Sequence, residues 1–217
     1  MFKEPKGIRK PYPYRTLNIA FILIAINVFV YFINMVIPRS GAYLALNPGT
    51  FLYYRFYWTP VTYMFTHGGM SHIIYNMLGL FFFGPQLERR MGSWEFLTFY
   101  MVTGVLSGLF SLLVYIFWGQ QVFLVGASGA IFGILLAYAV YYPNAVVYLF
   151  FVIPIRTKVL VPLFAVLELA QEIFSINGGI GHLTHLAGFG FAFLYFIIRL
   201  GINPITSFRD SGQSPWQ

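Results

Sequence analysis

Gly126-Ala127-Ser128-Gly129-Ala130-Ile131-Phe132-Gly133-Ile134-Leu135-Leu136-Ala137 opens a charge-free run that continues to Tyr142, and its length decides how the rest of the chain is read. Glycines around Ser128 allow a tight turn and the close approach of another backbone. Beyond it the pattern is helical, with small residues at 129, 133 and 137 forming a close-packing stripe for a second helix. A helix from Ser128 to Tyr142 measures about 22 Å at 1.5 Å per residue. That falls short of the roughly 30 Å of hydrocarbon in a bilayer, so Ser128 would lie below the outer surface. The backbone before it would be non-helical at membrane depth, which is tolerated only where it is buried or lines a wet cavity. A serine at such a helix start has free N–H groups beside it that suit an oxyanion. On the local motif alone, Ser128 reads equally as a small residue chosen for packing.

The composition places this run in a membrane. Of 217 residues, 59% are apolar and 9% charged, against about 45–50% (glycine included) and about 25% in soluble domains. Six acids and thirteen bases cannot cover a soluble fold of this size, and 25 Phe with 16 Tyr are the opposite of a disordered composition. The chain has no cysteine, which excludes disulfides, thiolate zinc sites and a cysteine nucleophile.

Six segments read as spans: Leu17–Ile37, His67–Leu87, Trp94–Trp118, Val122–Tyr142, a weaker Val159–Phe174 interrupted by Pro162 and Glu168, and Gly181–Leu200. The charged start leads into an apolar run too long for a signal-peptide core. The expected fold is an all-α membrane protein, a six-transmembrane-helix bundle with a short, buried fourth helix. Residues 1–16 form a cytoplasmic tail, 17–200 the membrane domain and 201–217 a second cytoplasmic tail. Ala145–Ile155 is too short to span and is expected at an interface. With both termini inside, Lys3, Lys6, Arg9, Lys10, Arg15, Arg89, Arg90, Arg156, Lys158, Arg199 and Arg209 are cytoplasmic. Only Arg39 and Arg55 of the thirteen bases remain outside, so the positive-inside rule is satisfied. The charge is an orientation signal, and nucleic acid binding is not expected. The connection from Arg39 to Thr66 is dense in aromatic residues and is expected to lie partly in the outer leaflet.

Polar and ionisable groups at membrane depth are the functional candidates: His67, His72, Asn76, Ser128, Glu168, Glu172, His182 and His185. Asn27 and Asn34 share one face of the first span and are expected to hydrogen-bond between helices. Gly188 and Ala192 form a second small-residue stripe that can meet the first, which would bring His185 to the depth of Ser128. A serine beside an imidazole is the minimum for nucleophilic catalysis, the imidazole acting first as base and then as acid. His72 and Asn76 are four apart and share a helix face. Both can donate hydrogen bonds, to an oxyanion or simply between helices.

The set His72-x-x-x-Asn76, Gly126-x-Ser128-Gly129 and His185-x-x-Gly188, one on each of three spans, resembles the rhomboid intramembrane serine proteases. Phe65-Thr66-His67 and Glu88-Arg89-Arg90-x-Gly92 add to a resemblance covering about residues 17–200. Two positions depart from it: Trp58-Thr59 stands where the family commonly has Trp-Arg, and Ala192 where it has a second glycine. The resemblance implies that Ser128 is the nucleophile and His185 the general base and acid. His72, Asn76 and the Ser128 N–H would form the oxyanion hole. It implies hydrolysis of peptide bonds in or next to transmembrane segments of membrane proteins, at a small residue in an easily unwound helix that enters beside the fifth span. No cofactor and no metal are implied, and the partners are transmembrane protein substrates and the lipid bilayer. Glu168 or Glu172 could stand as a third member beside the pair, but a rhomboid-like dyad needs no carboxylate, and both are expected in helix packing or at the interface; His67 and His182 are expected in local hydrogen bonds.

Two other readings compete for the same residues. A small histidine-lined transporter or metal channel calls for carboxylates or thiols near the histidines at membrane depth. A non-proteolytic rhomboid relative that binds membrane proteins would lack the serine or the histidine, and this chain has both. An aspartyl protease is excluded, since the one aspartate is Asp210. The expected location is a prokaryotic inner membrane, multi-pass, with the site open to the outer side.

Overall fold

The computed structural model describes residues 7–149, 152–174 and 181–209. Helix α1 (Ile19–Val36) is followed by a connection with three short helices, α2 (Ser40–Leu44), α3 (Pro48–Leu52) and α4 (Thr59–Thr62), and a 3-10 turn at Tyr63–Phe65. Then come α5 (Met70–Met91), α6 (Ser93–Phe117) and α7 (Ser128–Tyr141). A hairpin of β1 (Val146–Leu149) and β2 (Ile153–Arg156) leads to α8 (Thr157–Phe174). The last elements are α9 (His182–Tyr195), which runs on as a π-helical turn to Leu200, and α10 (Pro204–Arg209).

Several expectations shift. The segment read as one span from Val122 becomes helical only at Ser128. Before that, Leu124 exchanges both backbone hydrogen bonds with Leu46 (3.0 and 2.8 Å), Asn47 Nδ2 donates to the Val122 carbonyl (3.1 Å) and Gly126 N–H to that of Tyr63 (2.9 Å). These bonds satisfy a non-helical backbone that would otherwise be costly in an apolar setting. The architecture is not wholly α: the segment expected at an interface, Ala145–Ile155, lies almost wholly in the antiparallel hairpin, with Val146 opposite Arg156 and Leu149 opposite Ile153. Its β-branched and aromatic residues fit a strand better than a helix bounded by Pro143 and Pro154. Pro162 sits inside α8 without ending it. Asn27 donates to Leu23 O of its own helix (2.7 Å) and also meets the buried Tyr100 hydroxyl of α6, the interhelical bond expected of it, whereas Asn34 accepts locally from Ser40 (2.8 Å).

Among the described residues, three helices are long and apolar enough to cross a membrane: Ile19–Val36, Ser93–Phe117 and His182–Leu200. Ser128–Tyr141 is apolar but shorter. Helix α5 has the length but is diluted by His72, Asn76 and Gln86, and α8 carries Lys158, Glu168 and Glu172. The polar residues that weaken these two helices as spans include the site candidates.

Helix α7 is packed by α5, α6, α8 and α9, and ten of its fourteen residues are buried, including Gly129, Gly133, Ala137 and Val140. A helix apolar on all sides belongs inside its bundle. The small-residue stripes meet there: Gly188 of α9 lies against the Gly129 carbonyl, and Ala192 against Gly133.

The turn between α5 and α6 closes onto the start of α1. The residue before α1, Asn18, has φ 57° and does not cap the helix with its side chain. Buried Glu88 supplies the cap instead, accepting from Ile19 N–H (2.8 Å) and Ala20 N–H (3.0 Å). A carboxylate at these orphan donors also complements the helix dipole. Ser93 joins the cap, donating to Glu88 and accepting from Leu17 N–H (2.7 Å). In the aromatic connection, Tyr43, Phe56 and Trp58 stack and Trp58 Nε1 donates to Tyr43 O (2.9 Å). Thr59, at the first departure from the family pattern, is fully buried and donates to Phe56 O (2.7 Å).

Candidate active site

Ser128 is the first residue of α7. Gly126, at φ +113°, turns the chain into it, a backbone region that favours glycine. Helical geometry leaves the N–H groups of the first turn without intrahelical acceptors, so the hydroxyl and free donors share one end of a buried helix. His185 lies in the first turn of α9, and its Nε2 is 2.8 Å from Ser128 Oγ. The Phe132 ring, one turn into α7, stacks on the imidazole at 4.3 Å between centroids and 7° between planes. The imidazole therefore has a fixed plane, with one nitrogen at the serine.

His72, in the first turn of α5, packs on the turn before Ser128: a Cβ on Gly126 would come within 2.6 Å of His72 Nε2. Asn76 is one turn further along α5 and buried; its Nδ2 donates to His72 O (2.8 Å). The amide keeps a second N–H. The His67 ring meets His72 edge to face at 5.1 Å. Buried His67 also has the local partner expected of it, the backbone of Phe65.

Glu168 is where the sequence reading and the structure part. Its carboxylate joins α8 to α9, and does so through the two histidines of the site's own helix. Oε2 lies 2.6 Å from His182 Nδ1 and 3.1 Å from His185 Nδ1. Glu168, His182 and His185 are also the one set of described residues whose ligand atoms converge closely enough to hold a metal ion, a carboxylate–imidazole donor set of the kind zinc takes. The signal available in the sequence was the His182-x-x-His185 spacing, which presents both rings on one helix face. Nothing in it said which face of α8 would turn toward them.

A family model, the Rhomboid domain, matches residues 54–202, from the aromatic connection to the end of the π-helical turn. The chain belongs to the rhomboid family. YdcA, a rhomboid-family protein of Bacillus subtilis, is 30% identical over 145 residues, covering 64% of this chain and 65% of that protein. RHOMBOID-like protein 12, mitochondrial, of Arabidopsis thaliana is 30% identical over 147 residues, 60% of this chain and 43% of the relative. Rhomboid protease GlpG of Yersinia pestis is 29% identical over 118 residues, 54% and 37% respectively. The chain thus spans less than two thirds of each relative's length. Family membership and the apolar helices make it an integral membrane protein, and the rhomboid match contains every residue of the Ser128–His185–His72–Asn76 constellation.

Proposed function

We propose that this rhomboid is an intramembrane serine endopeptidase acting on transmembrane proteins. The observation that carries the reading is the 2.8 Å contact between Ser128 Oγ and His185 Nε2 at the start of a buried helix. Ser128 Oγ attacks the scissile carbonyl carbon while its proton passes to His185 Nε2. The C–N bond then breaks and the same proton goes to the leaving amine. Water, deprotonated by Nε2, attacks the acyl-enzyme, and the proton returns to Ser128 as the ester opens. The Ser128 N–H, His72 and the free N–H of Asn76 are the donors for the tetrahedral oxyanion.

The membrane arrangement follows the same reading. Residues 17–200 form a six-span domain with a short, buried fourth helix, and 1–16 and 201–217 are cytoplasmic tails. The site opens to the outer side of a prokaryotic inner membrane, and a substrate helix reaches it between α5 and α8. The test is cleavage of a single-span substrate in detergent or liposomes by wild type, Ser128→Ala and His185→Ala. Product from wild type alone is expected; equal cleavage by Ser128→Ala would assign the activity to a contaminant.

A further inference from the structure

We infer that Glu168 is a positioning residue for His185, so that the chain works as a serine–histidine–glutamate set and not as a pair. The inference rests on the serine-protease reading. With Nε2 at Ser128 and the ring plane set by Phe132, Nδ1 points toward α8. That nitrogen is buried and makes no well-aligned hydrogen bond, and Glu168 Oε2 is 3.1 Å from it. The carboxylate is held in turn by His182 Nδ1 at 2.6 Å. A carboxylate has two oxygens and about four acceptor sites, so one glutamate serves both imidazoles after a small turn of its last torsion.

The chemical consequence concerns the tautomer. An imidazole that donates Nδ1–H to Glu168 keeps its lone pair on Nε2, the form that can take the serine proton. Once Nε2 is protonated, the imidazolium stands beside an anion. Glu168 itself takes up no proton. The described titratable groups that face His185 are Glu168 from α8, His182 from its own helix and His72 from α5; Glu168 is the one acid among them. Because Ser128, His185 and Glu168 come from three different helices, the catalytic form of the histidine depends on α8 being seated against α9.

The experiment compares wild type, Ser128→Ala, Glu168→Gln and Glu168→Asp in detergent. Four quantities are read: kcat and KM on a single-span substrate, the rate of Ser128 labelling by a fluorophosphonate, and the melting temperature. Glu168→Gln is expected to lose about 10²–10³ in kcat, within the range of a positioned acid–base group, with KM within about twofold. Labelling should slow by a similar factor with little change in melting. Glu168→Asp should recover part of the rate. If Glu168→Gln cleaves and labels like wild type, the inference is wrong and the serine reading stands. A Glu168→Gln variant that melts early and raises KM as much as it lowers kcat, with no recovery in Glu168→Asp, would make the residue structural and also overturn it. Wild type that neither cleaves nor labels would sink both readings. Cleavage that rises with a chelator and stops with added zinc in wild type, but not in Glu168→Gln, would reassign the three residues to a metal.

Discussion

Replacing Gly188 with alanine tests the closest approach in the bundle. A Cβ there would overlap the Gly129 carbonyl oxygen and sit 3.1 Å from its carbon and 3.3 Å from the Gly129 α carbon. Carbon–oxygen contacts settle at about 3.3–3.6 Å, so α9 and α7 must part by about 1 Å to admit the methyl group. Ser128 immediately precedes Gly129, and His185 lies one turn before Gly188. The 2.8 Å contact between them then opens beyond about 3.6 Å, where a hydrogen bond no longer exists. Overpacking of this kind costs about 1–3 kcal/mol. Alanine in place of a helical glycine offsets about 0.5–1 kcal/mol, leaving a net loss of about 0–2.5 kcal/mol. A misplacement of about 1 Å in a reacting pair lowers the rate about 10²-fold. Gly190 is the control, since a Cβ there meets nothing within 4 Å; Gly190→Ala should keep its activity and gain about 0.5–1 kcal/mol. Melting temperature and kcat/KM in detergent, measured on both variants, decide the matter. If Gly188→Ala is as stable and as active as Gly190→Ala, the backbone contact does not set the spacing of the pair and the reasoning fails.

Two further outcomes are expected. Glu88→Gln turns one acceptor oxygen of the α1 cap into a donor facing backbone N–H groups, and charge-assisted hydrogen bonds are worth about 1.5–3 kcal/mol each. A loss of about 2–3 kcal/mol should appear in the melting of the solubilised protein, and an unchanged melting temperature would remove Glu88 from that role. His72→Ala should lower kcat by about 10²–10³ with little effect on KM, the pattern of a lost oxyanion donor; an effect on KM alone would place His72 in substrate binding.

Much of this architecture could be read along the chain because membrane helices are written in composition. The first, third and last predicted spans differ from α1, α6 and α9 with its π-helical turn by no more than two residues at either end. The shortness of α7 followed from its length at 1.5 Å per residue, and the Gly129–Gly133 and Gly188–Ala192 stripes announced a close crossing. The hairpin at 146–156 was harder to read, because a short apolar run bounded by prolines does not by periodicity choose strand over helix. The non-helical stretch before Ser128 was expected, but its partners were not: Leu46, Asn47 and Tyr63 lie more than 60 residues earlier.

The same division holds for the site. Local rules of spacing, charge and hydrophobicity put Ser128 near the start of a short helix, His72 and Asn76 on one face of α5, and His182 and His185 on one face of α9. These are properties of single segments, set by helix geometry and by the bilayer as solvent. How each helix is rotated about its axis against its neighbours is a different matter. It depends on the packing of many side chains at once, none of which signals the answer alone. Rotation of α8 is what turns Glu168 from a packing residue into the neighbour of two histidines, and the docking of α5 beside α1 is what makes Glu88 a helix cap. Both carboxylates are ordinary in sequence; only the assembled bundle gives them an imidazole or an orphan donor to meet.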